Sequence, residues 1–320
     1  MFDNPLRRAI FASDLEKSSD ILRSDPHIKF AYYTNTETLF SIITNKSMWM
    51  RNIKLMNDAS EFSYANQALV DAIRNPLIME KLEKICQKIN DRSGNPIPVW
   101  RFLAIMEDQN NRYAIKSTFI TCFTEHKEGD LGRLSMWRAY GKGSYGVAIV
   151  FKGHSSQLRR PPLFKVEYLE IDFAFKYLNN LLEEILSEWD LLEEIYLKES
   201  PRILENFIGD FFHALFFKSF LVKHPGFHEE NEWRLVNLSL QNKKTIVKNG
   251  VPQIILDQPL NYLFPSQVAG NLESSLDHII IGPCDNPAIA KEAILAKANE
   301  CGLKLDDNQI RISGIPLRKD

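Results

Sequence analysis

Residues 30–50 read FAYYTNTETLFSIITNKSMWM, and this stretch decides the fold class. Phe30-Ala31-Tyr32-Tyr33-Thr34 is short, aromatic and β-rich, as a strand requires. Leu39, Ile42 and Ile43 then recur at the i, i+3, i+4 spacing of one helix face. Thr34 stands three residues before Glu37, the spacing of a capping box that would open this helix. Met48-Trp49-Met50 reads as a second strand. Strand, helix and strand in so short a span point to an α+β protein.

Working outward, residues 1–28 read as a polar N-terminal helical arm that ends at Asp25-Pro26. Residues 62–115 are helical by period, interrupted at Ser93-Gly94-Asn95-Pro96, where Pro96 and Pro98 oppose continuation. The period then changes, and Ser117–Phe123, Val147–Phe151 and Lys165–Tyr168 are strand candidates. A helical insertion follows at about 170–225, with Leu178, Leu181, Leu182, Ile185 and Leu186 on one apolar face. Within it, Ser200 is a helix cap and Pro201 a first helical residue. The stripe Leu204, Phe207, Ile208, Phe211, Phe212, Leu215, Phe216 and Phe220 then faces a core, and Pro225-Gly226 ends it. Trp233–Leu238, Pro252–Leu256 and Ile279–Ile281 read as further strands. A helix over Ala288–Cys301 is stopped by Gly302, and a last strand lies within Leu303–Ile312. Residues 29–320 are therefore expected to form a single α+β domain on one mixed or antiparallel sheet.

Composition removes several function classes. Hydrophobic residues make up 44% and charged residues 25%, the balance of an ordinary globular chain. Lys+Arg number 39 against 41 Asp+Glu, so bulk charge gives no support to DNA binding. No apolar run follows the early charges of Met1–Arg8, so no secretory signal is read. The longest apolar stretch, Phe211–Val222, is too short for a bilayer and is broken by His213 and Lys218. Cys86, Cys122, Cys284 and Cys301 match no metal spacing, so cytoplasmic thiols without disulfides are expected.

Three motifs invite chemistry. Gly141-Lys142-Gly143-Ser144-Tyr145-Gly146 matches G-x-G-x-x-G, yet a β-rich run follows it where a dinucleotide site needs a helix. It reads as a glycine turn feeding a strand. His224 and His228 have the spacing of a helical zinc pair, but Pro225 and Gly226 oppose a helix and no third ligand is near, so no metal is expected. Glu229-Glu230-Asn231-Glu232-Trp233-Arg234 packs acids onto the entrance of an apolar strand. Glu230 and Glu232 would share one side of that strand, where mutual repulsion raises one pKa and prepares it for acid/base work. Either acid could instead bind a sugar hydroxyl or stabilise a developing cation. Leu134-Ser135-Met136-Trp137-Arg138-Ala139-Tyr140 offers aromatic faces for a base or a nicotinamide ring.

Taken in order, these segments resemble the bacterial family catalogued as domain of unknown function 2971. The resemblance rests on Tyr32-Tyr33-Thr34, Trp49, Asn57-Asp58-Ala59-Ser60-Glu61 and Cys122-Phe123-Thr124. It continues through Met136-Trp137-Arg138-Ala139-Tyr140-Gly141, Gly146–Phe151, Glu230–Arg234 and Ile279–Pro283, and spans roughly residues 28–285. The arrangement also resembles ADP-ribosyltransferase-like folds, which implies a split mixed/antiparallel sheet carrying helical insertions. That resemblance implies ADP-ribosyl transfer or NAD cleavage, with a role in bacterial conflict such as phage defence. NAD would be the co-substrate, and a protein or nucleic acid the acceptor, with no metal and no membrane involved. By resemblance Glu232 is the catalytic carboxylate that stabilises the ribosyl cation, and Glu230 the earlier acid of an E-x-E pair. Tyr32 occupies the first-strand position that commonly holds His or Arg, and a phenol donates one hydrogen bond without a cation's charge. Tyr33, Trp137 and Tyr140 would hold nicotinamide and ribose, with Thr34, Trp49, Ser135 and Arg234 also lining the cofactor site. Asn57, Asp58 and Glu61 would line the same cleft near Trp137 and Glu232. Glu232 is expected at a strand entrance beside exposed acids.

Two other functions fit the same residues. One is a non-enzymatic sensor that binds a nucleotide or a phage protein in this cleft, and the other is a nucleic-acid-processing enzyme. Geometry separates the first from the enzyme. A catalytic Glu232 should face the cleft beside aromatic and Ser groups, whereas a binder could leave it in an ion pair with Arg234 or Arg138.

Overall fold

The computed structural model describes residues 5–25, 27–55, 59–93, 98–100, 104, 116–127, 131–141, 145–153, 163–199, 203–237, 243–248, 250–263 and 272–316. The chain begins with α1 (Pro5–Ser24), β1 (Lys29–Asn35), α2 (Thr36–Asn45), β2 (Ser47–Asn52), α3 (Ala59–Ile73) and α4 (Pro76–Ser93). It continues with β3 (Phe119–His126), α5 (Leu134–Tyr140), β4 (Gly146–Lys152), β5 (Leu163–Lys165) and β6 (Glu167–Tyr168). Three helices follow, α6 (Phe173–Ser187), α7 (Trp189–Glu199) and α8 (Ile203–Ser219). The last part holds β7 (Val222–Lys223), β8 (Glu232–Asn237), β9 (Lys243–Lys248), β10 (Val251–Pro259), β11 (Leu276–Ile281), α9 (Pro287–Glu300) and β12 (Ile310–Ile312). Among the described residues no helix is long and apolar enough to cross a membrane.

Two compact units divide the chain. The first comprises Met1–Glu16, Ile53–Ser117 and Val166–His228. Its core is built by α3, α4, α6, α7 and α8, through Leu69, Ile85, Leu182, Phe211 and Leu215 among others. The expected apolar faces are the buried ones: Leu178, Leu181, Leu182 and Ile185 on α6, and Phe207, Phe211, Phe212 and Leu215 on α8. The cap proposed at Ser200-Pro201 lies outside the described residues. Lys218 and Lys223 are buried charges in this unit, and Lys218 has two acidic partners. Burial works against its ammonium, but Asp14 at 2.8 Å and Glu167 at 2.6 Å outweigh that cost and hold its pKa above the ordinary lysine value.

The second unit comprises Lys17–Asn52, Thr118–Lys165 and Glu229–Asp320 and holds a mixed α+β sheet. Its strands run β12-β11-β4-β1-β3-β2-β10-β9, with β8 on β3 and β5 on β8. Pairing is antiparallel except between β11 and β12, which are parallel. Side chains alternate across the strands. One face therefore gathers Phe30, Met48, Met50, Phe119, Phe123, Val147, Ile149, Phe151, Trp233 and Ile279 into the main core, with α2 and α9 packed on it. On α2 the buried residues are Leu39, Ile42 and Ile43, as their spacing requires. The helix cap is Asn35 rather than Thr34: the Asn35 side chain accepts from the Thr38 N–H at 2.9 Å.

The sheet forks at β3. One edge of β3 pairs with β8 from Phe119 to Thr124. Its other edge pairs with β1 only at Thr124–His126 and with β2 only at Phe119–Ile120. Between these contacts β1 and β2 diverge, each holding an outer partner of its own, β4 and β10. Thr121 Oγ1 donates to the Trp49 carbonyl at 3.2 Å, a side-chain bond where the ladder has opened.

Trp137 explains the glycines. Its indole is 5% exposed and packs edge-on to Tyr33 with ring centroids 4.8 Å apart. A Cβ on Gly282 would stand 2.7 Å from Trp137 Cε3, one on Gly132 2.6 Å from Cζ2, and one on Gly146 3.5 Å from Cε3. Gly146, the last glycine of the G-x-G-x-x-G stretch, is instead close to the backbone, since a Cβ there would stand 3.0 Å from Gly141 Cα, while Lys142–Ser144 lie outside the described residues. Gly282→Ala is expected to destabilise by about 1–3 kcal/mol, because a buried indole has nowhere to yield. Urea denaturation checks this, and an unchanged midpoint would contradict the packing.

Candidate functional site

The second unit has two different surfaces on the face opposite its main core. Over β1, β4 and β11, Ala31, Tyr33, Ala148, Val150 and Ile280 are covered by Met136 and Trp137 of α5. Over β3 and β8 the same face turns polar. Register places Ala31, Thr124 and Glu232 in one row, and Cys122 opposite Arg234 in the next.

Arg133 fastens this face together. Its backbone N–H donates to the Tyr33 hydroxyl at 3.0 Å. Its guanidinium donates to the carbonyls of Glu229 at 2.8 Å, Glu230 at 3.1 Å and Glu125 at 2.8 Å. One side chain thereby pins the start of α5, the end of β3 and the turn into β8. The sequence reading passed over Arg133, and no motif marks it, because all of its acceptors in these bonds belong to backbone or to a distant strand.

Glu232 opens β8, the strand-entrance position that the sequence suggested, with Glu229 exposed nearby, but Glu232 itself is buried at 3% exposure. Glu230 does not share the strand with it. Asn231 takes a left-handed φ of 42°, and Glu230 belongs to the 3-10 turn Pro225–Glu230. The residue two places along the same face is Arg234, 5% exposed. Arg234 Nε donates to Glu232 Oε1 at 2.6 Å and Nη2 to Oε2 at 3.0 Å, a fork-on-fork pair.

The aromatic candidates separate. Tyr33 and Trp137 come together, but their rings pack on each other at 6% and 5% exposure, with Tyr140 half-buried beside them. Ser135 is exposed on α5. Tyr32 points to the opposite face from its neighbour Tyr33. It packs against the main core, 5.8 Å from Phe123 between ring centroids. Burial pushes its hydroxyl up to about 12, Cys122 adds to that, and Arg51 partly offsets it. Thr34 and Trp49 are half-buried on β1 and β2 as these diverge. Asn57 and Asp58 lie outside the described residues, and Glu61 falls in α3 with its side chain outside them.

His224 and His228 are used locally. His224 Nδ1 accepts from the Gly226 N–H at 3.1 Å, and His228 Nδ1 donates to the Pro225 carbonyl at 3.0 Å. Among the described residues no group of three or more His, Cys, Asp or Glu side chains is arranged to hold a metal.

Another histidine pair went unnoticed in the sequence, since its members lie on β3 and β11. His126 and His278 are 4% and 1% exposed, with ring centroids 5.4 Å apart. His278 Nδ1 donates to Asp277 Oδ2 at 2.6 Å. Burial lowers the His278 pKa below 6.5, more than the Asp277 bond raises it, and nearby Arg311 and Lys29 lower it further. A depressed histidine stabilises the fold above the unfolded value, and that contribution is lost as pH falls and the unfolded chain takes the proton. The stability gap between wild type and His278→Gln should therefore narrow from pH 7.5 to 5.5. Denaturant titrations at both pH values test it, and a gap that widens on acidification would refute it.

A model of the family described as "Protein of unknown function (DUF2971)" matches residues 136–235. The match runs from Met136 in α5 to Leu235 in β8, so it contains Trp137, Tyr140, Gly146, Glu230, Glu232 and Arg234, and it supports that family. Neither a curated protein nor a solved structure matches the chain.

Proposed function

We propose that the polar face beside the fork is a nucleotide site, and that the chain transfers or cleaves off the ADP-ribosyl group of NAD in bacterial conflict such as phage defence. The observation that carries this reading is the buried Glu232, set in the row of Thr124 on a sheet whose strands β1 and β2 separate from one edge of β3. The split resembles the forked sheet of ADP-ribosyltransferase-like folds. In the reaction, the bond between ribose C1′ and the nicotinamide nitrogen breaks and its electron pair leaves with nicotinamide. The acceptor's lone pair closes on C1′, and the acceptor's proton passes to solvent. Glu232 would lie against the cationic ribose, where a fixed carboxylate acts electrostatically. Arg234 positions it.

A second reading meets the criterion set for a binder, an ion pair between Glu232 and Arg234. Both oxygens of Glu232 are engaged by Arg234. A carboxylate so neutralised suits a sensor that binds a nucleotide or a phage protein without turning it over.

Incubation of the protein with NAD labelled in the adenylate, in lysate from phage-infected cells, separates these readings. Label on an acceptor, or free nicotinamide above the no-protein control, supports the transferase or the cleaving enzyme. Saturable NAD binding with neither product supports the sensor, and absence of binding as well would remove both.

A further inference from the structure

At the open side of the fork, cationic groups converge that the nucleotide reading does not use. Arg51 lies at the end of β2, half-buried, and its Nε donates to Gln253 Oε1 at 3.2 Å. Lys248 ends β9, also half-buried. Its Nζ stands 5.8 Å from the Trp49 ring centroid and donates to Thr38 Oγ1 at 3.4 Å. Ladder register alone would not bring Lys248 to Trp49. Lys248 is opposite Val251, while Trp49 is opposite Asp257. Those positions on β10 are about 20 Å apart at roughly 3.3 Å per residue. The β9–β10 hairpin, turning at Gly250 with φ 76°, must bend back so that its end meets the start of α2.

Among the described residues neither Arg51 nor Lys248 forms an ion pair, although each is partly withdrawn from water. Glu37, in the first turn of α2, is the acid that acts on Lys248 from nearby. Two neighbouring like charges repel, and a partly desolvated ammonium is costly without a counter-charge. Burial and Arg51 accordingly hold the Lys248 pKa below 10.5, with Glu37 opposing. A bound anion would relieve both costs. The donors present are a guanidinium, an ammonium and the Thr38 hydroxyl, which suits a tetrahedral anion with several acceptor oxygens.

We propose that Arg51, Lys248 and Thr38 form a binding site for the phosphoryl group of a small phosphorylated ligand. The site stands apart from the NAD reading, because it involves neither Glu232 nor turnover.

Inorganic pyrophosphate is the probe, titrated calorimetrically into the full chain at constant ionic strength. Wild type should bind it saturably. Lys248→Gln and Arg51→Gln should each weaken binding by about tenfold or more, since each removes a charge-assisted contact. Lys176→Gln, on an exposed lysine paired with Asp172, should leave binding unchanged. A second measurement needs no variant: pyrophosphate should protect Lys248, but not Lys176, from acylation read by mass spectrometry. Protection by ADP as well would make the ligand a nucleotide, and protection by pyrophosphate alone would make it a free anion. No saturable binding by wild type, binding indifferent to both substitutions, or an unprotected Lys248 would overturn the site. None of these readouts uses NAD, so failure here leaves the Glu232 reading standing, and the reverse holds.

Discussion

Arg234→Met is expected to destabilise the protein by about 3–5 kcal/mol, the usual cost of leaving one member of a buried ion pair alone. Arg234 and Glu232 side chains are 6% and 4% exposed, so water cannot replace the lost partner. Glu232→Gln should cost less, about 1–3 kcal/mol, because the amide oxygen still accepts from the guanidinium. The double substitution should recover much of the loss from Arg234→Met, since no carboxylate then remains buried. Urea unfolding of the four proteins tests this. A single Arg234→Met variant as stable as wild type would show that water reaches Glu232, against its 3% exposure.

The second large effect is chemical. Glu232→Gln is expected to lower NAD turnover by about 10²–10³-fold, the loss typical of one electrostatic contributor to a charged transition state. Gln keeps the size and most of the hydrogen bonding of Glu but removes the charge. Arg234 complicates the effect in a readable way. If the pair remains closed during catalysis, Arg234 cancels part of the field that Glu232 offers the ribosyl cation, and the loss falls towards the lower end. If substrate opens the pair, the full loss appears.

The first strand–helix–strand segment was legible because its information is local. Leu39, Ile42 and Ile43 mark the buried side of α2, and alternation marks the strands on either side. Alternation also settles a point that the sequence reading blurred: adjacent Tyr32 and Tyr33 cannot line one face, and they do not. The helix start shifted by one residue because Asn35, not Thr34, supplies the cap. Glu230 left the expected strand because Asn231 takes a positive φ, a local event that a period-two pattern does not register. Arg234, by contrast, could be read as the strand neighbour of Glu232 from spacing alone, and it is.

The fork was not legible from residues, because it depends on which strands pair at long range. The edge of β3 that leaves β1 and takes up β2 carries no local signature. The β9–β10 hairpin did carry one in Asn249-Gly250, a dipeptide common in tight hairpins, which the reading passed over. With it went Lys248, and with the fork went Arg51. The glycines around Trp137 were visible in the sequence, but their use could not be inferred, since the indole they accommodate lies far from Gly282 along the chain.

Nicotinamide release from NAD, followed side by side for wild type and Glu232→Gln in lysate of phage-infected cells, bears most directly on the ADP-ribosyl reading. Both proteins are brought to the same folded fraction, judged by their unfolding curves, so that stability does not masquerade as catalysis. Release by wild type that falls by about 10²-fold or more in Glu232→Gln is the expected result. Equal release by the two proteins, or none by wild type, would make Glu232 a structural partner of Arg234 and replace the enzyme with a binding protein.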